Sequence, residues 1–250
     1  MMSELTARYL KEIEGRLERI AENAAPIEAA IAAIAAALEA GGVVQAFGTG
    51  HSEAFAMEIA GRAGGLIATN RIPLRTVVLR GRRDVSALGG AALEQDPTVV
   101  DELLSLTDLN PADIFVIASN SGVNGSIVGM ALAAKARRHK VIAVTSLAHT
   151  NAVKPKHPSG KRLSEVADIV IDNLAPYGDT VMQIDGGIGV GAVSSITAAF
   201  IAQLITMGVA ETIAARGQTP PVYLSANIPG GDEHNRVLED AYGDRIRREA

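Results

Sequence analysis

Two short runs hold most of the side chains in this sequence that are equipped for chemistry. One is Gly48-Thr49-Gly50-His51-Ser52 and the other is Ser119-Asn120-Ser121-Gly122-Val123-Asn124. Each follows a short apolar run and precedes a stretch of helical pattern. Small hydroxyl and amide side chains donate hydrogen bonds without bulk, and glycine lets a backbone approach a ligand closely. A helix start adds unpaired N–H groups and the positive end of a dipole, which suits a phosphate. One such loop alone reads as a capped turn, with Ser52 a plain N-cap and Ser119 and Ser121 ordinary turn residues. Two of them at the ends of strands in one sheet point to phosphate binding. A dinucleotide fold is disfavoured, because Glu53 stands where the third glycine of its fingerprint belongs. Neither loop is followed by the lysine that triphosphate hydrolysis would need.

Proton-transfer chemistry needs a carboxylate or imidazole near such a loop. His51, Glu53 and Glu58 are the nearest. His51 lies inside a glycine loop, a poor place for a core histidine. Glu53 opens a helix, where the dipole favours a carboxylate in any case. Glu58 and Arg62 are spaced for a simple ion pair on one helix face. Ala56, Met57, Ile59 and Ala60 around Glu58 suggest partial burial, which makes it a catalytic candidate as well. The five histidines show no metal spacing and there is no cysteine, so neither a metal nor a cofactor is expected. His139 is expected at an exposed helix end, and His149 and His157 on a surface loop. The tail from Ser225 to Asn235 is dense in polar groups for a linker. Gly186 to Gly191 reads as close backbone packing. The following Ser194, Ser195 and Thr197 are either caps or the far side of a sugar site.

These loops need strands and helices to hold them. Leu5 to Ile20 carries one apolar stripe at helical spacing, and Ala24 to Ala40 is a second helix, with Pro26 near its start and Gly41-Gly42 at its end. The two form an N-terminal helical extension over residues 1–40, ahead of a main domain over 41–250. Strands are expected at Val43–Phe47, Thr76–Leu79, Ile114–Ala118, Val141–Thr145 and Ile169–Ile171. Helices are expected after each of the two loops, from Asp96 to Leu106, and from Asn235 to Arg248. Arg80 to Gln95 reads as a long loop. Short apolar strands alternating with helices imply an α/β fold with a parallel sheet and right-handed crossovers. In such sheets ligands bind beyond the carboxyl ends of strands, where the strand order reverses.

Composition narrows the partners. The chain has 250 residues, of which 48% are apolar, enough for a sizeable core. Its net charge of −5 and its lack of a basic stripe argue against a nucleic-acid partner. The first residues carry Glu4, Arg8, Lys11, Glu12 and Glu14, unlike a signal peptide. Gly186 to Ala210 is uncharged and long enough to span a bilayer, but it contains Ser194, Ser195, Thr197, Gln203 and Thr206. It reads as a glycine-rich loop leading into a buried helix. No membrane partner is expected, and the location expected is the cytoplasm.

The same two loops resemble the signature loops of sugar isomerase (SIS) domains. Further runs resemble a bacterial subgroup of that family described as phosphosugar isomerases: Arg62-Ala63-Gly64-Gly65-Leu66, Ser225-Ala226-Asn227, and Gly230-Gly231-Asp232-Glu233-His234-Asn235. The resemblance implies a three-layer αβα sandwich around a five-stranded parallel sheet of flavodoxin-like type. It implies a sugar phosphate as small-molecule partner, bound by Gly50, Ser52, Ser119, Asn120, Ser121 and Asn124. It also implies a homodimer or homotetramer, with His234 a candidate to act on a neighbouring subunit. The reaction implied is aldose–ketose isomerisation by general acid–base catalysis. Its alternatives on the same scaffold are ether cleavage or another elimination on an aminosugar phosphate, and a non-catalytic phosphosugar sensor.

Overall fold

The computed structural model describes residues 2–247, with side chains from residue 4 onward. Residue 248, the expected end of the last helix, and the outermost residues of the two expected segments lie outside the described residues. In chain order the helices are α1 (Met2–Glu22), α2 (Ala25–Glu39), α3 (Glu53–Ile59), α4 (Thr76–Leu79), α5 (Ala92–Gln95), α6 (Val99–Ser105), α7 (Gly125–Ala136), α8 (Leu147–Ala152), α9 (Leu163–Val166), α10 (Ser194–Ala215) and α11 (Gly231–Glu239). The strands are β1 (Val44–Gly48), β2 (Thr69–Arg71), β3 (Ile114–Ala118), β4 (Lys140–Thr145), β5 (Ile169–Asp172), β6 (Thr180–Ile184) and β7 (Ile188–Ala192).

The first five strands form one parallel sheet in the order β2-β1-β3-β4-β5. This is the flavodoxin-like order, with its reversal between β1 and β3. The expected three-layer α/β sandwich is therefore present. Each central strand supplies both faces by simple alternation. Ile114, Val116 and Ala118 face a core shared with α2, α3 and α10, while Phe115 and Ile117 face a second core shared with α6 and α7. Burial on both faces is why these strands read as continuous apolar runs.

The second strand differs from the sequence expectation. Thr76–Leu79 is a turn of helix, and the strand beside β1 is Thr69–Arg71. Thr69 and Asn70 are buried despite being polar, because Thr69 Oγ1 donates to the Leu66 carbonyl at 2.7 Å and Asn70 Nδ2 donates to Gln45 Oε1 on β1 at 2.8 Å. The β-branched run at Thr76 starts instead from a turn closed by Thr76 N–H on the Pro73 carbonyl. The expected long loop from Arg80 to Gln95 contains α5. The helix expected at Asn235 begins at Gly231 and ends at Glu239.

The close packing expected of the glycine run 186–191 is present at Gly189, where a Cβ would lie 2.2 Å from Thr180 Oγ1, but the run is part of a hairpin. It turns and forms one arm of the β6–β7 hairpin, with Gly186 and Gly187 at φ of 83° and 74°. Asp-Gly-Gly between two short apolar segments is a hairpin signal of the kind two positive-φ residues satisfy. The hairpin leads into α10, which is long and apolar enough to cross a membrane. Its Ala198, Ile201, Ala202, Ile205 and Val209 are built into the first core against α2 and α3.

Candidate functional site

The two loops singled out from sequence meet at the β1/β3 reversal. β1 ends at Gly48, where a Cβ would lie 2.3 Å from the Ser52 carbonyl oxygen. Only glycine lets the chain fold back so tightly, and Gly50–Ser52 forms a single 3₁₀ turn. Ser52 has helical backbone angles and its side chain caps nothing, contrary to the plain N-cap reading. Across from it, the loop after β3 is tied to the end of β4. Ser119 N–H donates to the Val144 carbonyl at 3.0 Å, and Ser146 N–H donates to the Asn120 carbonyl at 3.3 Å. Within the loop Gly122 N–H donates to Ser119 Oγ at 3.0 Å.

Between the loops lies a cleft of about 380 Å³. Thr49, Gly50, His51 and Ser52 line one side and Ser119, Asn120 and Ser121 the other. Glu94, His149, Asp179, Ser194 and Ser195 complete it, and among the described residues no Lys or Arg lines it. A narrower recess beneath reaches Asn173, Ala118 and Val144. His51 is exposed at the lip, and Ser119 is buried at the base.

Four of the residues expected in the site stand elsewhere in the single chain. Asn124 donates its side-chain amide to Glu94 Oε1 and is not a lining residue. Gly125, after it, is covered: a Cβ there would lie 2.0 Å from the Gln95 carbonyl oxygen. The segment around α5 thus sits over the start of α7. Glu53 pairs with Arg75 at 2.7 Å. Glu58 accepts from Arg62 and, at 2.6 Å, from Gln203 Nε2 of α10, outside the cleft. His234 lies on α11 with Nε2 3.0 Å from the Val222 carbonyl oxygen.

Other histidines also depart from expectation. His139 is buried, with Nδ1 2.9 Å from the Asp113 carbonyl oxygen and its ring beside Phe115. His149 lies on α8, lines the cleft, and accepts from Gly178 N–H at Nδ1 over 3.1 Å. Thr197 is buried and bonded to its own helix, while Ser194 and Ser195 line the far wall. Asp179 caps α10, accepting from Ser194 N–H at 2.8 Å and from Ser194 Oγ at 2.7 Å. Sequence reasoning missed Glu94, His149 and Asp179 as lining residues of the cleft, and Asn173 of its recess. Only for Asp179 was there a signal, an acidic residue ahead of a hairpin that delivers a helix start.

A model of the SIS domain matches residues 8–146 of the chain. The chain belongs to the SIS domain family. The SIS protein is 36% identical over 232 residues to a UPF0309 protein of Listeria monocytogenes, covering 92% of each chain. It is 36% identical over 246 residues to a UPF0309 protein of Brucella canis, covering 98% of each. Among solved structures, the phosphoheptose isomerase of Neisseria gonorrhoeae superposes with a TM-score of 0.55 at 18% identity, over 84% of this chain and 100% of that one. The phosphoheptose isomerase of Francisella tularensis gives 0.54 at 17% identity, over 84% and 99%. These superpositions show a shared fold.

Proposed function

We propose that the SIS protein binds a phosphorylated sugar in the β1/β3 cleft and interconverts its aldose and ketose forms by proton transfer. The observation that carries this reading is the pairing, in one cleft, of two hydroxyl-bearing loops with the titratable His51, Glu94 and His149. The phosphate rests on Ser119, Ser121, Asn120 and Ser52, whose O–H and N–H groups suit an anion. The sugar carbons then lie toward the opposite walls. One group removes the carbon-bound proton to give an enediol, and a second moves protons on the oxygens and opens the ring. His51 remains the first candidate base, and Glu94 and His149 stand in the cleft where Glu58 does not. Two SIS-fold neighbours are named as phosphoheptose isomerases, which favours isomerisation over elimination or pure sensing.

Glu58 and His234 reach a cleft in this reading only from a second copy. Ile196, Gln203 and Met207 follow helical spacing on α10, and Gln203 bonds Glu58 of α3 beside the exposed Met57. The exposed Ile196, Met207 and Met57 around this bond support a homodimer or homotetramer. A monomer by light scattering at micromolar concentration would remove both residues from the reaction.

The decisive experiment is NMR in heavy water with the tightest sugar phosphate from a thermal-shift panel. Isomerisation puts solvent deuterium on one carbon. His51→Ala should slow that exchange by about 10²–10⁴-fold if His51 is the base. No exchange and no product with any bound ligand would end the isomerase reading, and release of a leaving group would replace it with an elimination.

A further inference from the structure

Resting on the phosphosugar reading, we infer that the cleft selects against a second anionic group on the sugar, and that Glu94 sets this selection. The ligand is a monophosphate whose other substituents are hydroxyls or an ammonium group. Aldonic acid phosphates, bisphosphates and carboxyl-bearing ethers are refused.

The argument starts from the charges that the cleft presents. Its phosphate end offers Ser119, Ser121, Asn120 and Ser52, all neutral donors, and no Lys or Arg lines the cleft among the described residues. Neutral donors can hold one phosphate, but they supply no surplus positive charge for a second anion. The two carboxylates in the lining differ in how they are used. Asp179 is spent on α10: its oxygens take the Ser194 N–H and hydroxyl at the first turn of a 22-residue helix, where the dipole offsets its charge. Glu94 also lies near a helix start, that of α7, but among the described residues no backbone N–H donates to its carboxylate as Ser194 N–H does to Asp179. Glu94 Oε1 accepts the neutral amide of Asn124, and its Oε2 lies 3.3 Å from where a Cβ on Gly50 would stand. That oxygen therefore stands against the first loop, in the lining of the cleft.

Glu94 is also held in place. Its backbone carbonyl accepts from Ser126 Oγ at 2.8 Å, and the Gln95 carbonyl sits against Gly125. With its backbone fixed and its Oε1 bonded to Asn124 Nδ2, the side chain can turn away from an incoming carboxylate only by giving up that bond. A hydroxyl donates to it and an ammonium gains from it, while a like charge about 6 Å away weakens binding by about 10- to 100-fold at the effective dielectric of a partly exposed site.

The test is isothermal titration of the full chain at about pH 7.5, above the ordinary imidazole value of about 6.5. The probes are glucose 6-phosphate, ribose 5-phosphate, glucosamine 6-phosphate, 6-phosphogluconate and 5-phosphoribonate. The wild type should bind each neutral sugar at least about 10-fold tighter than its acid counterpart, with glucosamine 6-phosphate no weaker than glucose 6-phosphate. Glu94→Gln, which keeps the shape of the side chain, should cut the neutral-to-acid ratio to about 3-fold or less, and Glu94→Ala should do the same if the amide perturbs Asn124. Equal affinity of the wild type for neutral and acid probes overturns the inference and leaves the phosphosugar reading standing. So does a ratio unchanged in both variants. No binding of any probe overturns the phosphosugar reading and this inference with it.

Discussion

Asn173, just after β5, donates its side-chain amide to the Asn120 side-chain oxygen over 3.2 Å, joining the recess of the cleft to the loop that ends β3. Its own amide oxygen accepts from Ala175 N–H at 3.0 Å. Asn173 is buried, so Asn173→Ala leaves both partners without a bond. Loss of a buried partner costs about 1–3 kcal/mol, and urea denaturation should read a loss in that range. Sugar phosphate affinity should also fall, because Asn120 loses its anchor. Unchanged affinity would mean that the orientation of Asn120 does not matter to the ligand.

The two loop serines should behave differently. Ser119 is buried and its oxygen accepts Gly122 N–H, so Ser119→Ala should cost about 1 kcal/mol of stability as well as affinity. Ser121 lines the cleft at partial exposure, so Ser121→Ala should leave stability unchanged. Each hydrogen bond to an anion is worth about 1.5–3 kcal/mol, so either change should weaken phosphosugar binding by at least about 10-fold. Titration alongside thermal unfolding separates the two effects. Full affinity in the double variant would put the phosphate elsewhere.

At the opposite end of the strands, where β1 and β3 begin, a buried carboxylate holds the C-terminal segment. The Asp113 side chain is 0% exposed and accepts from Val43 N–H at 2.8 Å, Gln45 Nε2 at 3.0 Å, Asn110 N–H at 3.0 Å and Arg245 Nη2 at 2.6 Å. Arg245→Ala strands a buried negative charge, and breaking such a pair costs about 3–5 kcal/mol. The three remaining donors favour the lower end. Chemical denaturation is the measure, and a loss below about 1 kcal/mol would show that the neutral donors alone satisfy Asp113.

Stability against acid should depend on Asp168. Burial pushes its carboxyl upward, but bonds from Lys135 and from Val141 N–H outweigh that and hold it below its ordinary value of 3.8. A lowered folded value means stability that is fully present above the unfolded value and lost as pH falls through the folded one. Asp168→Asn should therefore unfold at lower urea than the wild type near neutral pH, with the gap closing below about pH 3.8. A gap that persists in strong acid would point to packing instead of charge.

Much of the scaffold was legible in the residues. β1, β3 and β4 are short apolar runs because both faces of a central parallel strand are buried, and that requirement is written locally; β5, at the edge, is a shorter apolar run. The two loops were legible for the same reason: a tight strand-to-helix turn demands Gly48 and small polar neighbours wherever it occurs. β2 was not legible. Thr69 and Asn70 look like a loop until Gln45 of another strand accepts from Asn70 Nδ2, and the β-branched Thr76–Leu79 is overruled by the turn at Pro73. The walls of the cleft were hidden in the same way. Glu94 enters from a segment that reads as loop, His149 from a short helix after β4, and Asp179 from the start of a hairpin. Glu58, well placed by spacing, is drawn aside by Gln203 from the other end of the chain. Local periodicity and turn chemistry by themselves determined four of the five sheet strands and the two small polar loops at the ends of β1 and β3. Which charged groups face those loops was decided only by tertiary structure, because a side chain's neighbours across a cleft come from segments whose separation along the chain no local pattern records.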